Sequence, residues 1–188
     1  MQCNKKKRVV ITSAIGGLII VLLIITYLIY DINKRFPEPS IQTYDFETPA
    51  EENGLVITPM EYKVRTYDEY YNVYGEDGVY ASAKMYKPER TRIVTFTIQY
   101  ENKTSDNITY ETDSVQMMGE KSGVNNGVLL EGNKKNKSTI APGEIQQYEL
   151  STLILTPSGI QKKWINRLDE ETFYLVYNWY PSIKRLEF

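Results

Sequence analysis

A run of 22 residues without a charge, Val9 to Tyr30 (VVITSAIGGLIIVLLIITYLIY), constrains this chain more than any other feature. As a helix rising ~1.5 Å per residue it spans ~33 Å, slightly more than the ~30 Å hydrocarbon core of a bilayer. Ile and Leu dominate the run, and each one near the centre contributes about −0.3 to −0.6 kcal/mol to insertion. No face of the helix is polar, so the stretch does not read as the amphipathic helix of a soluble fold. The expectation is a transmembrane helix from Val9 to Tyr30.

The flanks set its direction. Lys5, Lys6, Lys7 and Arg8 precede the helix, whereas Lys34 and Arg35 follow it. The positive-inside rule then keeps residues 1–8 in the cytoplasm and places the rest of the chain outside. Tyr27 and Tyr30 fall at the outer interface, where amphipathic rings are favoured. A cleaved signal peptide is the competing reading, but its apolar region is normally ~7–15 residues and ends at a small-residue triplet. Asp31-Ile32-Asn33-Lys34-Arg35 supplies no such triplet. A lipoprotein is disfavoured because the one cysteine, Cys3, precedes the apolar run instead of following it. Ser13 and Gly17 are small residues four apart, a spacing that can seat a partner helix or be incidental in a single span.

Beyond the helix the chain is acidic. The first 30 residues hold four basic residues and no acid, which leaves 18 basic against 24 acidic residues, a net charge of −6. That balance argues against nucleic acid or an anionic lipid surface as the main target. An outer domain without cysteine has no disulfide and must rely on its own core, as a bacterial surface domain of this size can. With no histidine in the chain, catalytic triads, Cys-His dyads and His-based metal sites are excluded.

Residues 31–53 are rich in Pro and acid, and Pro37, Pro39 and Pro49 discourage regular structure, so they read as a stalk. From 54 to 188 the texture is β. Leu55 to Val64 alternates past Pro59, which marks an edge strand or a bulge. Arg92 to Glu101 is the best strand, with Val94, Phe96, Ile98 and Tyr100 on its core face. Ile108–Tyr110 and Val115–Met118 follow, then a long loop over 119–138. Glu144 to Leu155 is a strand with Ile145, Tyr148, Leu150 and Leu153 as core candidates. Thr172 to Tyr180 is a central, buried strand. Ser158 and Gln161 form a capping box ahead of Ile160, Trp164, Ile165 and Leu168, predicting one short helix over 159–168. Six to eight strands separated by turns predict a two-layer β-sandwich.

The strand Ile93–Tyr100 running into Glu101-Asn102-Lys103-Thr104, the turn Ile140-Ala141-Pro142-Gly143-Glu144 leading to Tyr148-Glu149-Leu150, and the strand Phe173–Tyr177 form a set. It resembles the immunoglobulin-like domains of unknown function on surface lipoproteins and membrane-anchored proteins of Gram-positive bacteria. The resemblance covers about residues 54–180 and implies an Ig-like sandwich at the cell surface. It implies no activity and no functional residues.

For function, the unusual stretch is Tyr67-Asp68-Glu69-Tyr70-Tyr71-Asn72-Val73-Tyr74 with Gly75-Glu76-Asp77-Gly78. Tyr67, Tyr70, Tyr71 and Tyr74 read either as a partner- or glycan-binding loop, because exposed Tyr brings contact area at low entropic cost, or as a connection whose rings cover a sandwich edge. Asp68, Glu76 and Asp77 lack EF-hand spacing for calcium. Ser158 and Lys162 make a formal Ser-Lys dyad, but a helix cap accounts for Ser158. Asn102-Lys103-Thr104, Asn107-Ile108-Thr109 and Asn136-Lys137-Ser138 match the glycosylation sequon, as chance allows in an Asn-rich chain. The expectation is a non-enzymatic, membrane-anchored bacterial surface protein, without cofactor or metal, whose Ig-like domain contacts an envelope protein, peptide or glycan. The alternatives are a bitopic assembly subunit of a secretion, conjugation or division complex, and an envelope hydrolase, which the missing His disfavours.

Overall fold

The computed structural model describes residues 2–111, 114–123, 125–132, 137–155 and 162–188, with side chains from Gly16 onward except at 162 and 163. The chain divides into two units, Met1–Pro39 and Ser40–Phe188. The first is a helix, α1 (Gln2–Arg35). Its described part, Gly16–Arg35, is long and apolar enough to cross a membrane, a test that a signal sequence near an N-terminus also meets. The helix stops before Pro37, whose ring excludes helical geometry at the residue ahead of it.

The second unit is a β-sandwich. Its strands are β1 (Ser40–Tyr44), β2 (Ala50–Glu52), β3 (Leu55–Arg65), β4 (Thr91–Asn102), β5 (Ile108–Glu111), β6 (Gln116–Gly119), β7 (Asn125–Gly127), β8 (Leu129–Leu130), β9 (Lys137–Ile140), β10 (Ile145–Leu155), β11 (Phe173–Asn178) and β12 (Ser182–Glu187). One sheet has the order β2-β3-β4-β10-β8, the other β1-β12-β11-β6-β7, and β5 pairs with β9 in a small ribbon. Two helices join them, α2 (Tyr67–Tyr74) and α3 (Lys162–Ile165).

The alternation of β4 gives the expected core. Val94, Phe96, Ile98 and Tyr100 are all fully buried. Phe96 meets Phe173 and Phe188 edge-on at centroid distances of 5.7 and 5.0 Å, and Tyr62 meets Phe173 at 5.1 Å. These rings lock the two sheets together, each pair adding about 0.5–1.5 kcal/mol beyond its buried area. β11 lies between β12 and β6, as its apolar run predicts, and Phe173, Leu175 and Val176 are fully buried.

Several expectations need correction. Residues 40–53 are not a stalk: β1 pairs in parallel with β12, and β2 forms a hairpin with β3. The hairpin turns on Asn53 (φ 51°) and Gly54 (φ 80°), the two-residue Asn-Gly pattern whose twist matches antiparallel strands. A Cβ at Gly54 would stand 2.2 Å from Thr104 Cγ2, so glycine is required there twice over. Pro59 does sit beside a bulge, where β3 has already run past its partner β2. The stretch Val79–Tyr86 includes a 3-10 turn, Ala81–Met85. The 119–138 loop contains β7 and β8 and buries Val128 and Leu130. In β10 the core face carries Tyr148, Leu150 and Ile154, whereas Ile145 is 56 % exposed and Leu153 points to the other face. Ile165 and Leu168 are buried as predicted, but the described helix is a single turn. The Ser158–Gln161 cap lies outside the described residues.

The Asn102-Lys103-Thr104 turn and the Ala141-Pro142-Gly143-Glu144 turn are held together. Asn102 is fully buried. Its Nδ2 donates to Asp106 O (2.7 Å) and Ile140 O (3.0 Å), and its Oδ1 accepts from Thr104 N (2.9 Å) and Thr104 Oγ1 (2.7 Å). Its backbone N–H donates to Glu144 O and its carbonyl accepts from Gly143 N–H. One amide thus ties the end of β4 to the Ala141–Glu144 turn. Asn102→Ala strips partners from two carbonyls and is expected to destabilise the domain by about 2–4 kcal/mol. Asn107→Ala, on an exposed residue of the next sequon, should change stability by less than about 0.5 kcal/mol. Denaturant unfolding of the full chain in detergent measures both.

Candidate functional site

The 25-residue connection between β3 and β4, residues 66–90, is not an exposed Tyr-rich loop. Thr66 and Glu69 form a capping box that starts α2. The Thr66 Oγ1 accepts from Glu69 N–H, and the Glu69 carboxylate accepts from Thr66 N–H (2.8 Å) and Thr66 Oγ1 (2.9 Å). Those bonds hold the Glu69 carboxyl below its ordinary pKa. The helix lies over the outer face of the β3-β4-β10 sheet, so Ile93, Thr95 and Ser151 on that face are buried too.

The four tyrosines face inward or sideways. Tyr70 is fully buried; its Oη donates to Glu131 Oε1 (2.7 Å) and accepts from Tyr80 N–H (3.1 Å). Tyr74 donates to Glu149 Oε2 (2.8 Å), and Tyr67 to Ala81 O (2.7 Å). Tyr71 donates to Glu76 and stacks on Tyr67 with centroids 5.7 Å apart. Burial pushes the Tyr70 and Tyr74 phenols well above their usual range. Arg65 lies 5.8 Å from the Tyr74 ring centroid, and its buried Nη1 has no hydrogen-bond partner. The rings cover the outer face of interior strands, not a sandwich edge. Among the Tyr-rich residues, Tyr70 cannot reach a partner at all.

What the connection does build is a pocket. An open hollow of about 470 Å³ is lined by Tyr62 and Val64 of β3, the cap residue Thr66, Glu69 of α2, Arg92 of β4, and Ile165, Asn166 and Asp169. Its wall at 164–171 is pinned from both sides. Tyr62 Oη donates to Asp169 O (3.1 Å) and Glu171 O (2.9 Å), while the buried Glu171 carboxylate accepts from Lys121 N–H (2.7 Å) and Ser122 N–H (2.8 Å). Arg92 is held by Pro88 O (2.8 Å), Thr91 O (2.7 Å) and Asn166 Oδ1 (3.2 Å). The pocket therefore offers one fixed guanidinium, two carboxylates, a carboxamide and a tyrosine edge. These groups can orient a polar ligand by hydrogen bonds, and the Thr66 hydroxyl that meets the Glu69 carboxylate is engaged in the capping box of α2. A second hollow of about 310 Å³, lined by Met85, Tyr86, Lys87, Arg90, Thr91 and Leu155, flanks the start of β4. Among the described residues no group of three His, Cys, Asp or Glu is placed to hold a metal.

The Thr66-x-x-Glu69 capping box was the sequence signal for α2, because a Thr followed three residues later by Glu opens helices. Arg92, Asn166 and Asp169 carried no such signal; they meet only when the chain between α3 and β11 folds back onto β3.

Removing the Tyr70 hydroxyl leaves the Tyr80 N–H without that acceptor and the Glu131 carboxylate with only the Val79 N–H bond at 3.2 Å. Tyr70→Phe is therefore expected to cost about 1–3 kcal/mol. Gly78→Ala should also destabilise, since its Cβ would lie 2.7 Å from Tyr70 Oη. Tyr71→Phe, at the helix surface, should stay within about 0.5 kcal/mol of wild type. Thermal unfolding of the three variants tests whether the stretch is scaffold.

No family model and no curated protein matches the chain. Among solved structures it is similar to the yjhA protein from Bacillus subtilis (14 % identity, TM-score 0.39, covering 74 % of this chain and 84 % of that one). It is also similar to a functionally unknown protein from Listeria monocytogenes (14 %, TM-score 0.41, 67 % and 68 %) and to an uncharacterized beta-sandwich protein from Clostridium difficile (9 %, TM-score 0.41, 80 % and 97 %).

Proposed function

We propose that this chain is a non-enzymatic, membrane-anchored bacterial surface protein. Its Ig-like sandwich lies outside the cell and binds an envelope protein, peptide or glycan. The observation that carries the reading is the pocket around Arg92 and Asn166, built where the strands end on the side opposite the entry of the chain at Ser40. β1 starts level with the start of β12, and β3 and β10 start at that same end. The pocket forms where β3 ends and β4 begins.

The Ig-like assignment draws on strand order. β3, β4, β10 and β8 follow the A-B-E-D order of one immunoglobulin sheet, and β12, β11, β6 and β7 follow the G-F-C-C′ order of the other. The helix-bearing connection between β3 and β4 and the β5–β9 ribbon are additions to that plan. The surface assignment draws on the uncharged helix and its basic N-terminal flank. The binding assignment draws on a concavity in which several hydrogen-bonded polar groups converge, the feature that fixes a ligand's orientation in a site.

The test is capture from an envelope extract by the full chain in detergent, with Asn166→Trp filling the pocket and Tyr71→Ser as a surface control. A partner that binds wild type and Tyr71→Ser, and is lost from Asn166→Trp, places binding at the pocket. A partner held equally by all three moves the site elsewhere. Capture of nothing by a folded chain refutes the binding-module reading.

A further inference from the structure

We propose that the hairpin between β11 and β12, Trp179-Tyr180-Pro181, seats its two aromatic rings among lipid headgroups, so that this end of the sandwich rests on the bilayer. The inference rests on the reading of α1 as a membrane anchor. It starts from the failure of the stalk. With β1 beginning at Ser40, only Phe36-Pro37-Glu38-Pro39 separates the sandwich from the end of α1 at Arg35. Five Cα steps reach at most about 18 Å. The domain is therefore tethered close to the membrane surface, not lifted from it.

Register then decides which part of the domain is nearest. β1 runs parallel to β12 with Ser40 opposite Ser182. The hairpin immediately precedes Ser182, so it stands beside the point where the tether enters. It is fixed there by a bond from Asn178 Nδ2 to Ser182 O (3.1 Å). At its tip Trp179 is 38 % and Tyr180 56 % exposed. Two adjacent amphipathic rings, each an apolar body with a polar handle, are the side chains that favour the headgroup layer.

Charge narrows the mode of contact. At this end Lys184 is engaged by Glu52 and Lys103 by Glu101, and Asp106 and Glu144 lie in the neighbouring turns. Among the described residues this end carries no excess of positive charge, so attachment comes from ring insertion and not from attraction to anionic lipid. It should therefore be insensitive to salt, unlike a screened electrostatic contact.

The chain has two tryptophans, Trp164 and Trp179, and Trp164 lies by the pocket end of the sandwich. The experiment reconstitutes the full chain in phosphatidylcholine vesicles as two single-tryptophan variants, Trp164→Phe and Trp179→Phe. Each is read with quenchers attached to the lipid headgroup or deep in the acyl chain. The expected result is severalfold stronger quenching of Trp179 by the headgroup quencher than by the deep one, unchanged by high salt, with Trp164 unquenched. If the chain floats with the vesicles and Trp179 is as unquenched as Trp164, the hairpin proposal is overturned while the anchor stands. If the chain does not float with the vesicles, the anchor reading fails and the proposal with it.

Discussion

The sandwich depends on a single buried carboxamide. Asn102 ends β4, the strand that pairs along its length with both β3 and β10, and it uses every donor and acceptor it has. It holds the start of the β4–β5 connection, the end of β9 and the turn into β10 in one place. A buried amide fully bonded in this way specifies geometry more sharply than apolar packing, because a shifted register would leave several polar groups unpaired. The Asn-x-Thr and Pro-Gly-Glu turns occur in sequence 40 residues apart yet act as one clamp. The same burial removes Asn102 from any role as a sugar acceptor.

The outer face of that sheet shows a second use of polar pairing. Alternation marks Ile93, Thr95 and Thr97 as the solvent face of β4, yet Ile93 and Thr95 are covered by α2. The helix sits on a mixed surface, and its tyrosines suit that surface. Their rings fill volume while their hydroxyls reach Glu131 and Glu149. In this layer Arg65 Nη1 is buried without a hydrogen-bond partner, and the guanidinium lies 5.8 Å from the Tyr74 ring centroid. The stretch rich in Tyr and acid packs over the outer face of a sheet, with Tyr70 buried and Tyr67, Tyr71 and Tyr74 half-buried.

The two ends of the sandwich differ in what they expose. One end gathers the chain entry, the aromatic hairpin and the Asn102 clamp. The other gathers the N-terminus of α2, the 164–171 turn and the pocket between them. The first is dominated by satisfied turns and two exposed rings, the second by fixed polar groups around a hollow. This division of chemistry along the strands underlies both the proposed recognition site and the proposed lipid contact.

Local patterns were legible without any structure. The uncharged run of α1, the two-residue period of β4 and the apolar composition of β11 each depend on residues adjacent in the chain, so the sequence alone determined those elements. The Asn53-Gly54 turn was also written locally, and the prolines around it obscured it. Tertiary structure alone decided that residues 40–44 and 50–52 join sheets, since a short, mostly exposed strand such as β1 is stabilised only by the ladder its partner offers. It alone turned Tyr70 inward, by setting Glu131 61 residues away at hydrogen-bonding distance. It alone assembled Arg92, Asn166 and Asp169 around one hollow. Such contacts depend on which distant segments the core brings together, and no period or spacing along the chain records that.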